Sequence, residues 1–296
     1  MESTSSRVLE NETAGTLTIG DRRVRRMGFG AMRISGARNA EGARDRAVAV
    51  ELVQGVQARG VQFFDTANIY GYGQSEEIIA EALAPYADDL LIATKAGFRP
   101  GKLAPGQASL PPLGRPEHIR EECEQSLRRL AVECLELYIV HVPDPEVPWA
   151  DTVGAFAELQ QAGKVRNIGI SNVTLDQLRA AQEIVAVVSV ENRYSVGDRT
   201  SEPVLAACEE EGIAFLPYSP LKDPEGPVGA ALADIAASRG VLLQQVSLAW
   251  LLQRSPVMLP IPGTSQLVHA SENIDAAWLE LSPDEMARLN VGRPTE

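Results

Sequence analysis

The chain has 296 residues, of which 45% are hydrophobic, and a formal net charge of −13. This length fits one α/β barrel of about 250 residues with additions, and the negative charge argues against nucleic acid and anionic membranes as partners. No apolar stretch reaches the roughly 18 residues of a membrane-spanning helix, and the three cysteines form no disulfide framework, so we expect a protein of the reducing cytoplasm.

Residues 1–15 lack the apolar segment of a signal peptide, so we expect a flexible N-terminal tail. Residues 16–296 are then a single domain. The segment TLTIGDRRVRR at its start is typical of a β-hairpin, which we expect to plug the floor of a barrel. The first barrel strand is predicted at residues 26–32, and the first helix at residues 45–59.

Seven apolar runs follow along the chain, and each ends in a polar residue. They are VQFFD ending at Asp65, LLIATK at Lys95, LYIVH at His141, IGISN at Asn172, VSVE at Glu191, FLPYS at Ser219 and LPIPGTS at Ser265. Helix-like segments separate most of the runs, which is the pattern of buried parallel strands in βαβ units. If the sheet closes, the carboxyl ends of all strands meet at one rim, where barrel enzymes carry their working residues.

We therefore predict a (β/α)8 TIM barrel with an N-terminal β-hairpin and extra C-terminal helices. The alternative is an open doubly wound sheet, but no GxGxxG motif follows the first strand. Further helices are predicted at Ser75–Leu83, from Pro116, at 229–239 and at 243–254. A capping box at Ser282 and Glu285 starts the last helix, and the Pro- and Gly-rich stretch 99–115 is a candidate substrate lid.

Several segments resemble the aldo-keto reductase family, in the same order over roughly residues 16–291. They are FFDTANIYGYGQSEEIIAEAL, LLIATKAG, LELYIVH, GKVRNIGISN, NRYS, FLPYSPL and IPGTS followed by HASENI. The resemblance implies a TIM barrel that binds NADP(H) without a Rossmann motif and reduces aldehydes or ketones by hydride transfer. It also maps the catalytic residues of the family onto Asp65, Tyr70, Lys95 and His141.

The chemistry of carbonyl reduction needs these residue types. Hydride addition builds negative charge on the carbonyl oxygen, so a proton donor must lie within about 3 Å of it. Tyr70 is the donor implied by the resemblance, and we expect the Lys95 ammonium to lower its pKa. Asp65 would hold Lys95, and His141 would orient the carbonyl. By composition Tyr72 is an equally good aromatic in the same turn, and only the spacing of the family pattern favours Tyr70.

The resemblance also implies a nucleotide site on the second half of the rim, which the loop after the first barrel strand approaches. Its candidate residues are Gly30, Ala31, Met32, Ser171, Asn172, Glu191, Tyr218, Ser219, Leu221, Gly263, Thr264, Ser265, His269, Glu272 and Asn273. Ser171 and Asn172 would bind the nicotinamide carboxamide, and Tyr218 would stack on the ring, unless it is an ordinary core aromatic.

Two positions depart from the family pattern around the 2′-phosphate of NADP. Relatives often have a Lys and an Arg where this chain has Gly263 and His269. We expect Thr264 and Ser265 to open the last barrel helix, whose N-terminus can receive an anion, with His269 about one turn further on. NADPH is the predicted cofactor, and NADH is possible.

A third departure is Glu191, where the family commonly has a glutamine that contacts the carboxamide. Our hypothesis is that this carboxylate favours the oxidised, cationic nicotinamide over the reduced one. The alternative is that Glu191 turns away and pairs with Arg193 or another rim arginine.

The predicted partner is a small carbonyl substrate. The loop sequences do not identify this substrate, and the sequence does not define the oligomeric state. The second function class is a regulatory or scaffold protein on the same barrel that binds nicotinamide nucleotide without turnover. An intact set of four catalytic residues favours turnover.

Overall fold

The computed structural model of the protein describes residues 8–9, 14–101, 109–222 and 224–291. Its strands are β1 (Thr16–Ile19), β2 (Arg22–Arg25), β3 (Phe29–Gly30), β4 (Phe63–Asp65), β5 (Leu91–Ala96), β6 (Leu135–Val140), β7 (Val165–Ser171), β8 (Val187–Glu191) and β9 (Ala214–Phe215). Its α-helices are α1 (Arg46–Ala58), α2 (Gln74–Leu83), α3 (Pro116–Leu130), α4 (Trp149–Gln161), α5 (Leu175–Gln182), α6 (Glu202–Glu211), α7 (Gly226–Arg239), α8 (Leu243–Arg254), α9 (Leu267–Asp275) and α10 (Pro283–Leu289).

Strands β3 to β9 form one parallel sheet in sequential order. Residues 258–262 close it into a barrel. On one side Leu259 N donates to Phe215 O of β9 (2.9 Å), and on the other Gly28 N and Gly30 N donate to Pro260 O and Pro262 O (3.0 and 3.1 Å). The two prolines have no N–H to give, so this eighth segment lacks a regular ladder. The predicted (β/α)8 barrel is confirmed.

The hairpin of β1 and β2 closes the amino-terminal end of the barrel. Ile19 and Val24 are fully buried in the cluster of apolar side chains inside the sheet. Arg25 N donates to Gln62 Oε1 just before β4, and Arg22 Nε donates to Glu136 Oε2 at the start of β6. The predicted plug is therefore in place, and the polar strand ends face the opposite, open rim.

Most helix boundaries lie within three residues of those predicted, because their caps are local. Asp45 Oδ1 accepts from Ala47 N at the start of α1 (2.9 Å), and the capping box of Ser282 and Glu285 starts α10. Helix α9 differs, since it begins at Leu267 with Gln266 as its N-cap. Thr264 Oγ1 instead accepts from Gln266 N in the preceding turn (3.1 Å). The expectation that Thr264 and Ser265 open this helix is wrong.

The expected N-terminal tail lies mostly outside the described residues, but two of its positions contact the barrel. Leu9 is fully buried and its N–H donates to Arg59 O (2.9 Å), and Ala14 N donates to Ala277 O (3.1 Å). Leu9 and Ala14 are thus held against the barrel. Of the candidate lid, residues 102–108 are likewise outside the described part, and its base is held where Leu113 N donates to Gly97 O (2.7 Å).

Among the described residues no single helix is long and apolar enough to cross a membrane. Helices α7 and α8 reach that length and composition only together, and they meet at an angle of 106°.

Candidate active site

Four of the predicted residues meet at the open rim. Asp65 ends β4, Lys95 is the next-to-last residue of β5, His141 follows β6, and Tyr70 lies on the loop after β4. Lys95 is fully buried. Its Nζ lies 2.5 and 2.6 Å from the two Asp65 carboxylate oxygens and donates to Thr66 O at 3.0 Å. Such a buried charge is tolerated because it is paired and hydrogen-bonded on several sides.

Tyr70 is the tyrosine that approaches this ammonium. Its hydroxyl oxygen lies 3.5 Å from Lys95 Nζ, and the ammonium lies 5.1 Å from the centre of its ring. Tyr72, the alternative by composition, has a left-handed backbone (φ 60°) and is 57% exposed. The backbone of the turn therefore directs Tyr70 towards Lys95 and leaves Tyr72 in solvent.

The pKa of Tyr70 is governed mainly by burial. Burial raises it above its usual value, Lys95 opposes this, and Asp65 and Glu191 add to it. Lys95 lowers the pKa of Tyr70, as expected, but burial outweighs it. The expectation that the pKa of Tyr70 would be lowered overall is therefore wrong. Burial would lower the pKa of Lys95, but Asp65 and Glu191 reverse the sign and raise it. At neutral pH the pair is thus a protonated phenol beside an ammonium.

His141 lies beside Tyr70, with the two ring centroids 5.9 Å apart, and Phe98 packs edge-on against it at 4.7 Å. Burial, and then the Lys95 charge, hold the pKa of His141 well below its usual value, so the imidazole is neutral. Its Nδ1 is buried without a hydrogen-bond partner among the residues that the structure describes. Such an unpaired buried polar atom is costly and is often found where a ligand binds.

Glu191 belongs to the cluster formed by Asp65, Tyr70 and Lys95, which rules out the interpretation that it pairs with a rim arginine. It is 3% exposed and its Oε2 lies 3.4 Å from Lys95 Nζ, so Glu191 and Asp65 share one ammonium. The alternative in which Glu191 pairs with Arg193 is wrong, since the Arg193 guanidinium lies over the Tyr218 ring, 5.6 Å from its centroid. Burial and the charge of Asp65 raise the pKa of Glu191 to about 8.

A hydrogen-bonded chain continues along the rim from His141. Asn172 Nδ2 donates to His141 O (2.9 Å) and to Ser171 Oγ (3.0 Å), and Tyr218 OH donates to Asn172 Oδ1 (2.7 Å). Asn172 and Ser219 both have left-handed backbones, with φ of 58° and 52°. Non-glycine residues rarely adopt this conformation, and it recurs at functional sites.

The rim also carries a cleft of about 590 Å³, a volume that is usual for a small-molecule site. Seven of the predicted nucleotide residues line it: Leu221, Gly263, Thr264, Ser265, His269, Glu272 and Asn273. Ser219 is exposed and, like Ala31 and Met32, lies outside this lining. Gly30 also lies outside the lining and packs closely against the last barrel segment, because a Cβ there would lie 2.7 Å from Ile261 O.

Sequence reasoning missed Arg33, which lines the same cleft from the 3-10 helix after β3. It is exposed and has no hydrogen-bond or ion-pair partner within the described ranges. The available signal was a basic residue directly after the predicted Gly30–Met32 segment. Arg33, two hydroxyl groups and an imidazole form a donor set that fits a phosphate group, so the residues present fit a phosphorylated nucleotide.

Comparison with known proteins agrees with this geometry. A sequence profile described as "Aldo/keto reductase family" matches residues 26–225 and 227–291. The chain belongs to this family. An uncharacterised oxidoreductase of Schizosaccharomyces pombe is 38% identical to it over 287 residues, 97% of this chain and 92% of the relative. Pyridoxine 4-dehydrogenase of Escherichia coli is also 38% identical, over 94% of this chain and 98% of that enzyme.

Solved structures agree as well. An aldo-keto reductase from Klebsiella pneumoniae, solved in complex with NADPH, is 25% identical and superimposes with a TM-score of 0.78, covering 95% of this chain and 94% of that one. The predicted family and fold are confirmed, and the protein is an NAD(P)H-dependent aldo-keto reductase that acts on small carbonyl compounds.

Proposed function

We propose that this aldo-keto reductase reduces an aldehyde or ketone to an alcohol with NADPH, and that Tyr70 gives the proton. The observation that carries the proposal is the buried Lys95 ammonium, held by Asp65 at 2.5 and 2.6 Å and lying 3.5 Å from the Tyr70 hydroxyl.

When bound, NADPH supplies the hydride that adds to the carbonyl carbon. Tyr70 then donates its proton to the carbonyl oxygen as negative charge develops there. The Lys95 ammonium stabilises the phenolate that remains. Asp65 holds Lys95 in place through two charge-assisted contacts, so the ammonium does not have to reorganise during the reaction.

His141 has a separate role in this proposal. A neutral imidazole can donate one hydrogen bond to the substrate oxygen and orient it, without placing a second positive charge beside Lys95. The pKa of His141, well below its usual value, keeps the ring in this form. Tyr70 and Phe98 pack against the ring and limit its orientation.

The nucleotide is assigned to the second half of the rim. Ser171 and Asn172 are proposed for the carboxamide and Tyr218 for the nicotinamide ring. Arg33 and His269 line the cleft where the donors fit a phosphate, and with the NADPH complex of the Klebsiella relative this supports NADPH over NADH. Comparing kcat/KM for the two nucleotides tests the choice, and a clear preference for NADH would overturn it.

Tyr70→Phe tests the chemical role, with Tyr72→Phe as its matched control two residues away. Turnover is followed as loss of the absorbance of reduced nicotinamide. The substrate panel contains aromatic aldehydes, ketones, keto-sugars and pyridoxal, which is included because of the name of the Escherichia coli relative. We expect Tyr70→Phe to lower kcat by about 10²–10⁴-fold with unchanged nucleotide affinity. We expect Tyr72→Phe, at an exposed side chain, to leave kcat unchanged.

Two results would contradict the proposal. Equal losses in the two variants would show that Tyr70 has no special role. Tight nucleotide binding without turnover on any substrate would favour the regulatory or scaffold class.

A further inference from the structure

The Glu191 carboxyl occupies a position that the proposed reaction does not use. It ends β8 in register with Ser171 of β7, and it is 3% exposed. Its Oε2 reaches Lys95 Nζ at 3.4 Å but receives no well-directed hydrogen bond from any residue of the described chain. Glu191 thus borders both the Lys95 ammonium and Ser171, one of the residues assigned to the carboxamide, and within the described residues its buried Oε2 receives no hydrogen bond.

Two carboxyl groups share the single ammonium of Lys95. Asp65 takes the closer position, with both oxygens within 2.6 Å of Nζ, whereas Glu191 is 3.4 Å away. If both carboxyls were ionised, the buried cluster would carry one net negative charge, which a low-dielectric site disfavours. Two buried carboxyls on one ammonium repel each other when both are ionised, which favours one proton on the pair. The weaker contact places this proton on Glu191.

We infer that Glu191 is a proton-dependent selector between the two oxidation states of the nucleotide. This inference rests on the proposed function, because it places the nicotinamide at the neighbouring Ser171 and Asn172. With its proton, Glu191 is neutral and suits the uncharged reduced ring. Without it, the carboxylate attracts the cationic oxidised ring. Binding of the oxidised form therefore favours loss of the proton, and binding of the reduced form does not.

Four other titratable groups belong to the same cluster as Glu191. Lys95 on β5 and Tyr70 after β4 have raised pKa values, and that of His141 after β6 is well below its usual value. Burial raises the pKa of Asp65 on β4, and Lys95 opposes this shift more strongly here than at Glu191 because it lies closer to Asp65. The pKa of Glu191 is raised to about 8, and with its longer contact to Lys95 this carboxyl is the one of the pair that holds the proton at neutral pH.

The test is a binding measurement without substrate. Dissociation constants of NADP+ and NADPH are determined by calorimetry between about pH 6 and about pH 9, a range that spans the expected ionisation. The quantity of interest is the ratio of the two constants, in which the ionisation of the shared 2′-phosphate cancels. We expect the relative affinity for NADP+ to rise by about tenfold or more with pH, one pKa unit being tenfold. Glu191→Gln, of equal size, should give a constant ratio.

A second measurement is the number of protons released when each nucleotide binds, obtained by calorimetry near neutral pH in buffers of different ionisation enthalpy. Wild-type protein should release more protons on binding NADP+ than on binding NADPH, and Glu191→Gln should remove the difference. His269→Gln is the matched control, since it removes another titratable group near the nucleotide but should change both affinities alike and leave the ratio pH-dependent.

The outcomes separate this inference from the proposed function. A ratio that does not change with pH in the wild-type protein, or that changes equally in Glu191→Gln, overturns the inference alone. Failure of both nucleotides to bind overturns the proposed function and the inference with it.

Discussion

Replacing Lys95 by methionine removes the only positive charge between two buried carboxyl groups within the described site. Asp65 then loses contacts of 2.5 and 2.6 Å, and Glu191 loses its neighbour at 3.4 Å. Removing one partner of a buried ion pair costs about 3–5 kcal/mol, because the remaining charge is left uncompensated. We expect Lys95→Met to lose this free energy of unfolding at about pH 8.

The stability lost in Lys95→Met should be larger at high pH than at low pH, because the two carboxyls are unpaired only when they are ionised. Without Lys95, the pKa values of Asp65 and Glu191 rise further above the unfolded values of about 4. In the folded variant both groups take up protons at moderately acidic pH and become neutral, so the loss is smaller at about pH 5.5. As the pH rises from about 4 to the raised folded values, the unfolded chain gives up these protons while the folded variant keeps them, so stability falls across that interval.

Urea unfolding of the wild type and Lys95→Met at the two pH values measures both effects. The double variant Lys95→Met/Glu191→Gln is the control, because it removes one of the two unpaired carboxyls and should recover part of the loss. A loss below about 1 kcal/mol at both pH values, or the same loss at both, would refute the view that this cluster is held together by its charges.

Three further predictions concern stability. Gly30→Ala should destabilise the protein by about 1–3 kcal/mol, because its Cβ would lie 2.7 Å from Ile261 O, whereas Gly36→Ala meets nothing within 4 Å and should cost little; equal thermal melts would contradict this. Ser282→Ala should cost about 1 kcal/mol in urea unfolding, since it removes the acceptor for Glu285 N at 3.3 Å; unchanged stability would mean that α10 does not depend on this cap. The pKa of Glu191 is raised from 4.5 to about 8 in the folded protein. The wild type should therefore lose stability as pH rises through that interval, and Glu191→Gln should show a flatter profile in chemical denaturation, a parallel profile being the contrary result.

Much of the fold could be predicted because its signals are local. An apolar run followed by a polar residue identifies a buried strand and its end wherever it occurs, and Pro116 or the Ser282 capping box identifies a helix start from a few residues. The eighth barrel segment is recognisable in the sequence as an apolar run. That it lacks a regular ladder of hydrogen bonds is clear only in the structure, where Pro260 and Pro262 lie beside a neighbouring strand and have no N–H to donate. The start of α9 was misplaced because Thr264 bonds within its own turn.

The candidate site divides in the same way. By itself the sequence determined which residue types stand at the strand ends, and so the presence of Asp65, Lys95 and His141 on one rim, because strand direction and length are encoded locally. The family spacing favoured Tyr70 over Tyr72, and the structure supplied the contact with Lys95 that explains it. Only the tertiary structure decided that burial outweighs Lys95 in the pKa of Tyr70, that Arg33 lines the nucleotide cleft, and that Glu191 shares the ammonium with Asp65. Burial, distance and the sum of neighbouring charges depend on residues far apart in the chain, and they exist only once the barrel has closed.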